Sequence, residues 1–343
     1  MKTTIRFKLS ALALAVAAAS LSAIAQDEPS NPPGDPTEAA AAPKPEIKPR
    51  AAEIMPRVTR GLLLGVTNAG DKTVVVGERG NILVSTDGQK WTQSPSPVNA
   101  TLTAVGFADS DNGWAVGHDA TILHTTDGGK TWALQHFDPA LEKPLLNLLV
   151  IDAQYAYALG AYGLFLQTTD GGTTWSDVDA PPVRADELHL SSMIRLNTGE
   201  LFIAGEQGTL AVRGLQGPWT KLQSPYEGSF YGALPWGPKG VLVFGQRGNV
   251  YVSDDVHGKK WTQVQTDTKQ SLFGGTLAKD RGAVLVGADD LSLLIKPDAS
   301  VQILTAPKAA GATAGGTLSG VVPLKDGLVV VGEAGVKTLP LPN

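Results

Sequence analysis

The sequence predicts an all-β chain folded as a seven-bladed β-propeller of four-stranded blades. Three observations carry that expectation. An apolar strand that ends in glycine, followed by a tight turn and a second strand, occurs seven times, anchored at Gly77, Gly117, Gly160, Gly205, Gly245, Gly287 and Gly332. The anchors are spaced 40, 43, 45, 40, 42 and 45 residues apart, the length that four short strands and four turns require. With 39 glycines, 23 prolines and 42% hydrophobic residues, the chain has both the turns and the apolar mass for such a fold.

In chain order, Lys2, Arg6 and Lys8 precede the apolar run 9–19 and the small-residue pattern Ala23-Ile24-Ala25, which reads as a secretory signal cleaved before Gln26. The mature protein is therefore expected to be secreted across the inner membrane. Residues 26–50 hold seven prolines among Ala, Glu, Asp and Lys, the composition of a disordered linker. The propeller is expected over residues 51–343. In its second unit, alternation and turn signals place strands at 102–107, 114–116, 121–125 and 131–135. The last unit supplies only three strands, 318–322, 328–331 and 336–339, so segment 52–58 is expected to return as its outer strand and close the ring.

Between the third and outer strands, Thr125-Thr126-Asp127-Gly128-Gly129-Lys130-Thr131-Trp132 and Thr168-Thr169-Asp170-Gly171-Gly172-Thr173-Thr174-Trp175 match the Asp-box pattern. Asp87 and Trp91 form a box one residue shorter, Trp261 ends a longer one, and Trp219 keeps the Trp without the Asp. The chemistry of the box is structural: a carboxylate accepts from backbone N–H groups of a turn that glycines permit, and the indole packs beside it.

Seven such units, with VGxxGxI strands and TTDGGxTW boxes over residues 52–343, resemble the photosystem II stability/assembly factor family of Asp-box propellers and its bacterial relatives. The resemblance implies a non-catalytic scaffold on the translocated side of a membrane that holds a membrane-associated protein partner. For relatives in non-photosynthetic bacteria it implies periplasmic accessories to transporter complexes of the resistance-nodulation-division type. The chain is expected to act as a monomer.

In a propeller the turns between second and third strands gather with the inter-blade loops on one face. Here they offer Glu78 and Arg79, His118 and Asp119, Tyr162, Glu206 and Gln207, and Arg247 as candidate partner contacts, an Arg fork being suited to a partner carboxylate. Asp boxes also occur in sialidases, so a carbohydrate-active hydrolase is the alternative. Against it, Arg79 and Arg247 come from units far apart around the ring, and no third arginine joins them. No catalytic residue, cofactor or metal site is expected. Five scattered histidines lack ligand spacing, cysteine is absent, and no nucleophile elbow or phosphate-binding loop is found. Loss of the signal's three cations would take the formal net charge from −5 to −8, which argues against nucleic-acid binding.

Overall fold

The computed structural model describes residues 47–278, 282–304 and 316–340. The signal and nearly all of the linker lie outside them. Among the described residues seven antiparallel sheets succeed one another along the chain, six with four strands and the last with three. Inner strands are Leu63–Ala69, Leu102–Phe107, Leu145–Val150, Leu190–Arg195, Phe230–Trp236, Leu272–Leu277 and Leu318–Leu324, and each pairs with the strand that follows it. The only α-helix among the described residues is the four-residue Pro181–Arg184, and none is long and apolar enough to cross a membrane.

The second strands are buried on both sides, which is why they read as near-continuous apolar runs such as Thr-Val-Val-Val-Gly. Their side chains feed seven apolar clusters, one between each pair of neighbouring blades. Blades 1 and 2, for example, share Val74, Val76, Leu102, Ala115 and Leu123. The anchoring glycines are explained by close approach and not by backbone angle. Gly77 is fully extended, yet a Cβ there would lie 2.2 Å from the Leu62 carbonyl oxygen just before the inner strand.

Outer-strand tryptophans plug the interface with the preceding blade: Trp132 between blades 1 and 2, Trp175 between 2 and 3, Trp219 between 3 and 4, Trp261 between 4 and 5, and Trp91 between 7 and 1. The box completes this packing. Trp91 and Trp132 donate Nε1–H to Gly88 and Gly129 carbonyls at 3.2 and 3.1 Å. Blade 4 has no Asp box, and the buried Trp219 Nε1 finds no acceptor.

Ring closure corrects the sequence expectation. Segment 52–58 forms no strand beside the seventh blade. Ala52 N–H instead donates to the Ser96 carbonyl, and the Gln93 side chain receives Met55 N–H and donates to the Glu53 carbonyl, all on the outside of blade 1. Pro56 cannot donate to a ladder at all. A 3-10 turn, Val58–Arg60, then crosses to the seventh blade, where its backbone approaches Gly335 so closely that a Cβ would meet the Thr59 oxygen at 1.9 Å. Val58 is buried with Leu63, Val75, Leu83, Val329 and Val331. The N-terminal segment thus fastens the seam between first and last blades by packing, and not by strand pairing.

Candidate functional site

Six of the second-to-third-strand turns share one build. The anchoring glycine leads into a tight turn, a single 3-10 turn in five of them and in blade 2 a turn closed by Thr121 N–H on the His118 carbonyl, and within it one position is held in the left-handed region by a residue other than glycine: Arg79, Asp119, Tyr162, Gln207, Arg247 or Asp289, with φ between 51° and 58°. This conformation costs an L-residue about 1–2 kcal/mol. It throws each tip outward, and all but Asp119 are exposed. The turns are tied to the inter-blade loops: Gly163 N–H donates to Leu188, Gly208 to Gly228 and Asp138 to Asp119. Turns and loops therefore form one face.

One residue earlier, the side chains have another task. Glu78 Oε1 accepts from Leu62 N–H at 3.1 Å and Glu206 Oε2 from His189 N–H at 3.0 Å, while Glu333 Oε2 accepts from Thr317 N–H at 2.9 Å. In each case the glutamate's own N–H donates back to the carbonyl of that same residue. Blade 3 shows the logic by exception: its partner is Pro144, which has no N–H, and the turn residue there is Ala161. Glu78 and Glu206 are thus engaged in the scaffold. Arg79 and Arg247 stand on separate blades without contact, and His118 is an exposed turn residue whose N–H donates to the Thr101 carbonyl.

The inner strands enclose a central channel of about 620 Å³ that opens on this face. Each inner-strand pair carries a register shift just after its first residue, and this bulge turns Leu64, Thr103, Leu146, Ser191, Tyr231, Phe273 and Ser319 toward the channel. Two of them staple neighbouring blades: Thr103 Oγ1 donates to Leu145 O at 2.8 Å and Ser319 Oγ to Leu63 O at 2.7 Å. Tyr231 and Phe273 stack, with ring centroids 5.1 Å apart. Burial, with smaller contributions from Tyr226 and Glu206, raises the Tyr231 hydroxyl above its ordinary pKa. Further out, Tyr162 meets His189 edge to face at 4.9 Å, and His189 Nδ1 lies 3.9 Å from Glu206. Of the candidates read from sequence, only Tyr162 and Glu206 are drawn together, through a histidine that pattern alone did not single out. Tyr231 and Phe273 could have been found as the residues following the Phe230 and Leu272 strand starts.

The Asp boxes pack against the turns between first and second strands, Gly128 N–H donating to Asp111 and Gly171 N–H to Gln154. Asp127 accepts from Thr131 N–H and Oγ1 and from Thr125 Oγ1, and Asp170 repeats the set with Thr174 and Thr168. Asp87 accepts from Gln89 and Lys90 N–H. All three carboxyls are held below their ordinary pKa. In Asp87 and Asp170 the backbone hydrogen bonds dominate, whereas in Asp127 burial opposes and the hydrogen bonds from Thr131 and Thr125 prevail. No group of three or more metal-ligating side chains occurs among the described residues.

Comparison with known proteins agrees with this architecture. Two curated relatives match short stretches: the photosystem II assembly protein Ycf48 of Thermosynechococcus vestitus, 41% identical over 46 residues, and the chloroplastic photosystem II stability/assembly factor HCF136 of Cyanidioschyzon merolae, 36% identical over 62. These stretches cover 13% and 18% of this chain, and only 13% and 14% of the relatives' lengths. Among solved structures, YCF48 bound to a D1 peptide superposes with a TM-score of 0.65 at 17% identity, covering 88% of this chain and 99% of that one. Virginiamycin B lyase from Staphylococcus aureus gives 0.68 at 12% identity, covering 86% and 99%, so both show the fold alone. The family model for the photosynthesis system II assembly factor YCF48 matches residues 62–148, 83–179 and 135–286, together well over half of the sequence, and the chain belongs to that family.

Proposed function

We propose that this protein is a non-catalytic assembly or stability factor that holds a membrane-associated protein partner on the face built by the second-to-third-strand turns, and that it works in the periplasm. The observation that carries the reading is family membership across residues 62–286. A solved structure of the same fold has YCF48 bound to a D1 peptide, which supports a protein ligand here. The positions of Glu78 and Glu206 support a binding face over a hydrolase centre, because the two candidate acids stand on separate blades, each tied through one oxygen to the N–H before its own inner strand. The signal-like N-terminus supports export, and a transporter complex is the partner class implied by the family resemblance read from the repeats.

The test is crosslinking and affinity capture from the envelope fraction with the wild type and the Arg79→Ala/Arg247→Ala double variant. A membrane-associated protein recovered with the wild type and depleted with the variant is the expected result. Equal recovery would remove the arginines from the face, and recovery of no partner by the wild type would overturn the reading.

A further inference from the structure

Around blades 3 to 6 the face carries a track of two ring pairs with the Glu206 turn between them. It begins at the exposed ring of Tyr162 on blade 3, which meets His189 edge to face. The backbone of His189 is held by Glu206 of blade 4. The turn Glu206–Gly208 packs against the blade 5 strand Phe230–Trp236, which carries Tyr231, and Tyr231 stacks on Phe273 of blade 6 at the channel mouth. The Tyr231 hydroxyl has no hydrogen-bond partner among the described residues. At the five other bulge positions stand Leu, Thr or Ser, so only this sector presents rings to the channel.

Charge along the track is uneven. Arg184 is paired with Asp177 at 2.7 Å and Lys221 with Asp186 at 2.7 Å. Among the described residues Glu227, beside the carbonyl that ties the blade 4 turn, and Glu206 have no Lys or Arg partner. At the blade 6 end the track is bounded by Arg247, whose N–H donates to Ser271 Oγ. A cation is therefore favoured at the middle of the track and not at its channel end.

We propose, building on the partner-binding reading above, that this track takes an extended peptide segment of the partner whose aromatic or aliphatic side chain enters the channel mouth against Tyr231 and Phe273 and whose basic side chain reaches Oε1 of Glu206, the oxygen not used on His189 N–H. Aromatic faces and a carboxylate on one path attract a Lys or Arg stem and head together, while the channel receives an apolar group.

The purified mature protein is titrated against three fluorescein-labelled peptides in a Gly/Ser background, carrying Lys and Phe, Glu and Phe, or Lys alone, with anisotropy as the readout. The Lys–Phe peptide is expected to bind most tightly, and less tightly as salt rises. Phe273→Leu and Tyr231→Leu, which keep apolar volume, are expected to weaken it about tenfold. Glu206→Gln keeps an acceptor for His189 N–H and should remove the preference for Lys over Glu. Equal binding of the Lys–Phe and Glu–Phe peptides, no binding of Lys–Phe, or unchanged affinity in the Leu variants overturns the proposal.

A photo-crosslinking residue placed in cells at position 79, 162 or 231, with 155 on the opposite face as control, separates this proposal from the reading beneath it. Capture at 162 and 231 supports the track. Capture at 79 alone sinks the track and leaves the partner-binding face standing, whereas capture at none of the three sinks both.

Discussion

Glu78, Glu206 and Glu333 occupy the same turn position, and each exchanges two hydrogen bonds with the residue just before its inner strand. A carboxylate at that position satisfies a backbone donor that the start of a strand would otherwise leave to water. Replacing Glu206 by Ala removes the acceptor and is expected to cost about 1 kcal/mol, and Gln less, because the site is partly solvated. Thermal melts of the two variants check this, and an Ala variant as stable as the wild type would show the bond to be idle. The tip residues make the opposite prediction. Arg247 sits at φ 57°, where glycine is free of the left-handed cost but loses more chain entropy, so Arg247→Gly should change stability by about 1 kcal/mol at most, in the stabilising direction, while removing a partner contact. A clearly lower melting temperature for that variant would assign the Arg247 side chain to the scaffold. Sequence pattern marked Glu206 and Gln207 alike as turn residues. The difference between them depends on a partner seventeen residues away across a strand pair, which local pattern does not contain.

At the scale of the element, the Asp box was legible because nearly all of its bonds lie within eight residues. Thr125, Asp127, Gly129, Thr131 and Trp132 satisfy one another, so the motif carries its own geometry. The channel mouth was not legible in this way, since Tyr231 and Phe273 turn inward through register shifts between strands, and the stack joins residues 42 positions apart on different blades. The boxes also set an acid limit. Because the folded-state pKa of Asp87, Asp127 and Asp170 lies below the ordinary 3.8, their hydrogen bonds stabilise the fold above that value, and the contribution is lost as pH falls through the lower, folded one. The melting temperature should therefore be steady near neutrality and fall below about pH 4. Asp127→Asn, measured over the same series, should flatten part of that fall, and an unchanged acid slope would deny the box a share in it.

For the whole molecule, the seven glycine anchors announced the number of blades, since a Cβ at any one of them would strike the carbonyl before the inner strand, and the chain cannot vary them cheaply. Closure was only half visible. Among the described residues the last blade has three strands, but whether segment 52–58 pairs or packs depends on Gln93 and Ser96 of blade 1, which capture its backbone first, and on Pro56, which cannot join a ladder. What remains at the seam is an apolar joint: Val58 buried against Val329 and Val331 of the last blade and Leu63, Val75 and Leu83 of the first. A ring has no free ends only while every joint holds, so weakening this one should lower the stability of all seven blades together and not fray one of them. Val58→Ala removes two buried carbons and should cost about 1–2 kcal/mol. Deletion of residues 51–60 removes the joint outright. It should melt well below the full-length protein, in a single transition seen alike by far-ultraviolet circular dichroism and tryptophan fluorescence. A deletion variant that melted like the intact chain would mean that the inter-blade clusters alone close the ring, and two separated transitions would mean that the seam blades unfold apart from the rest.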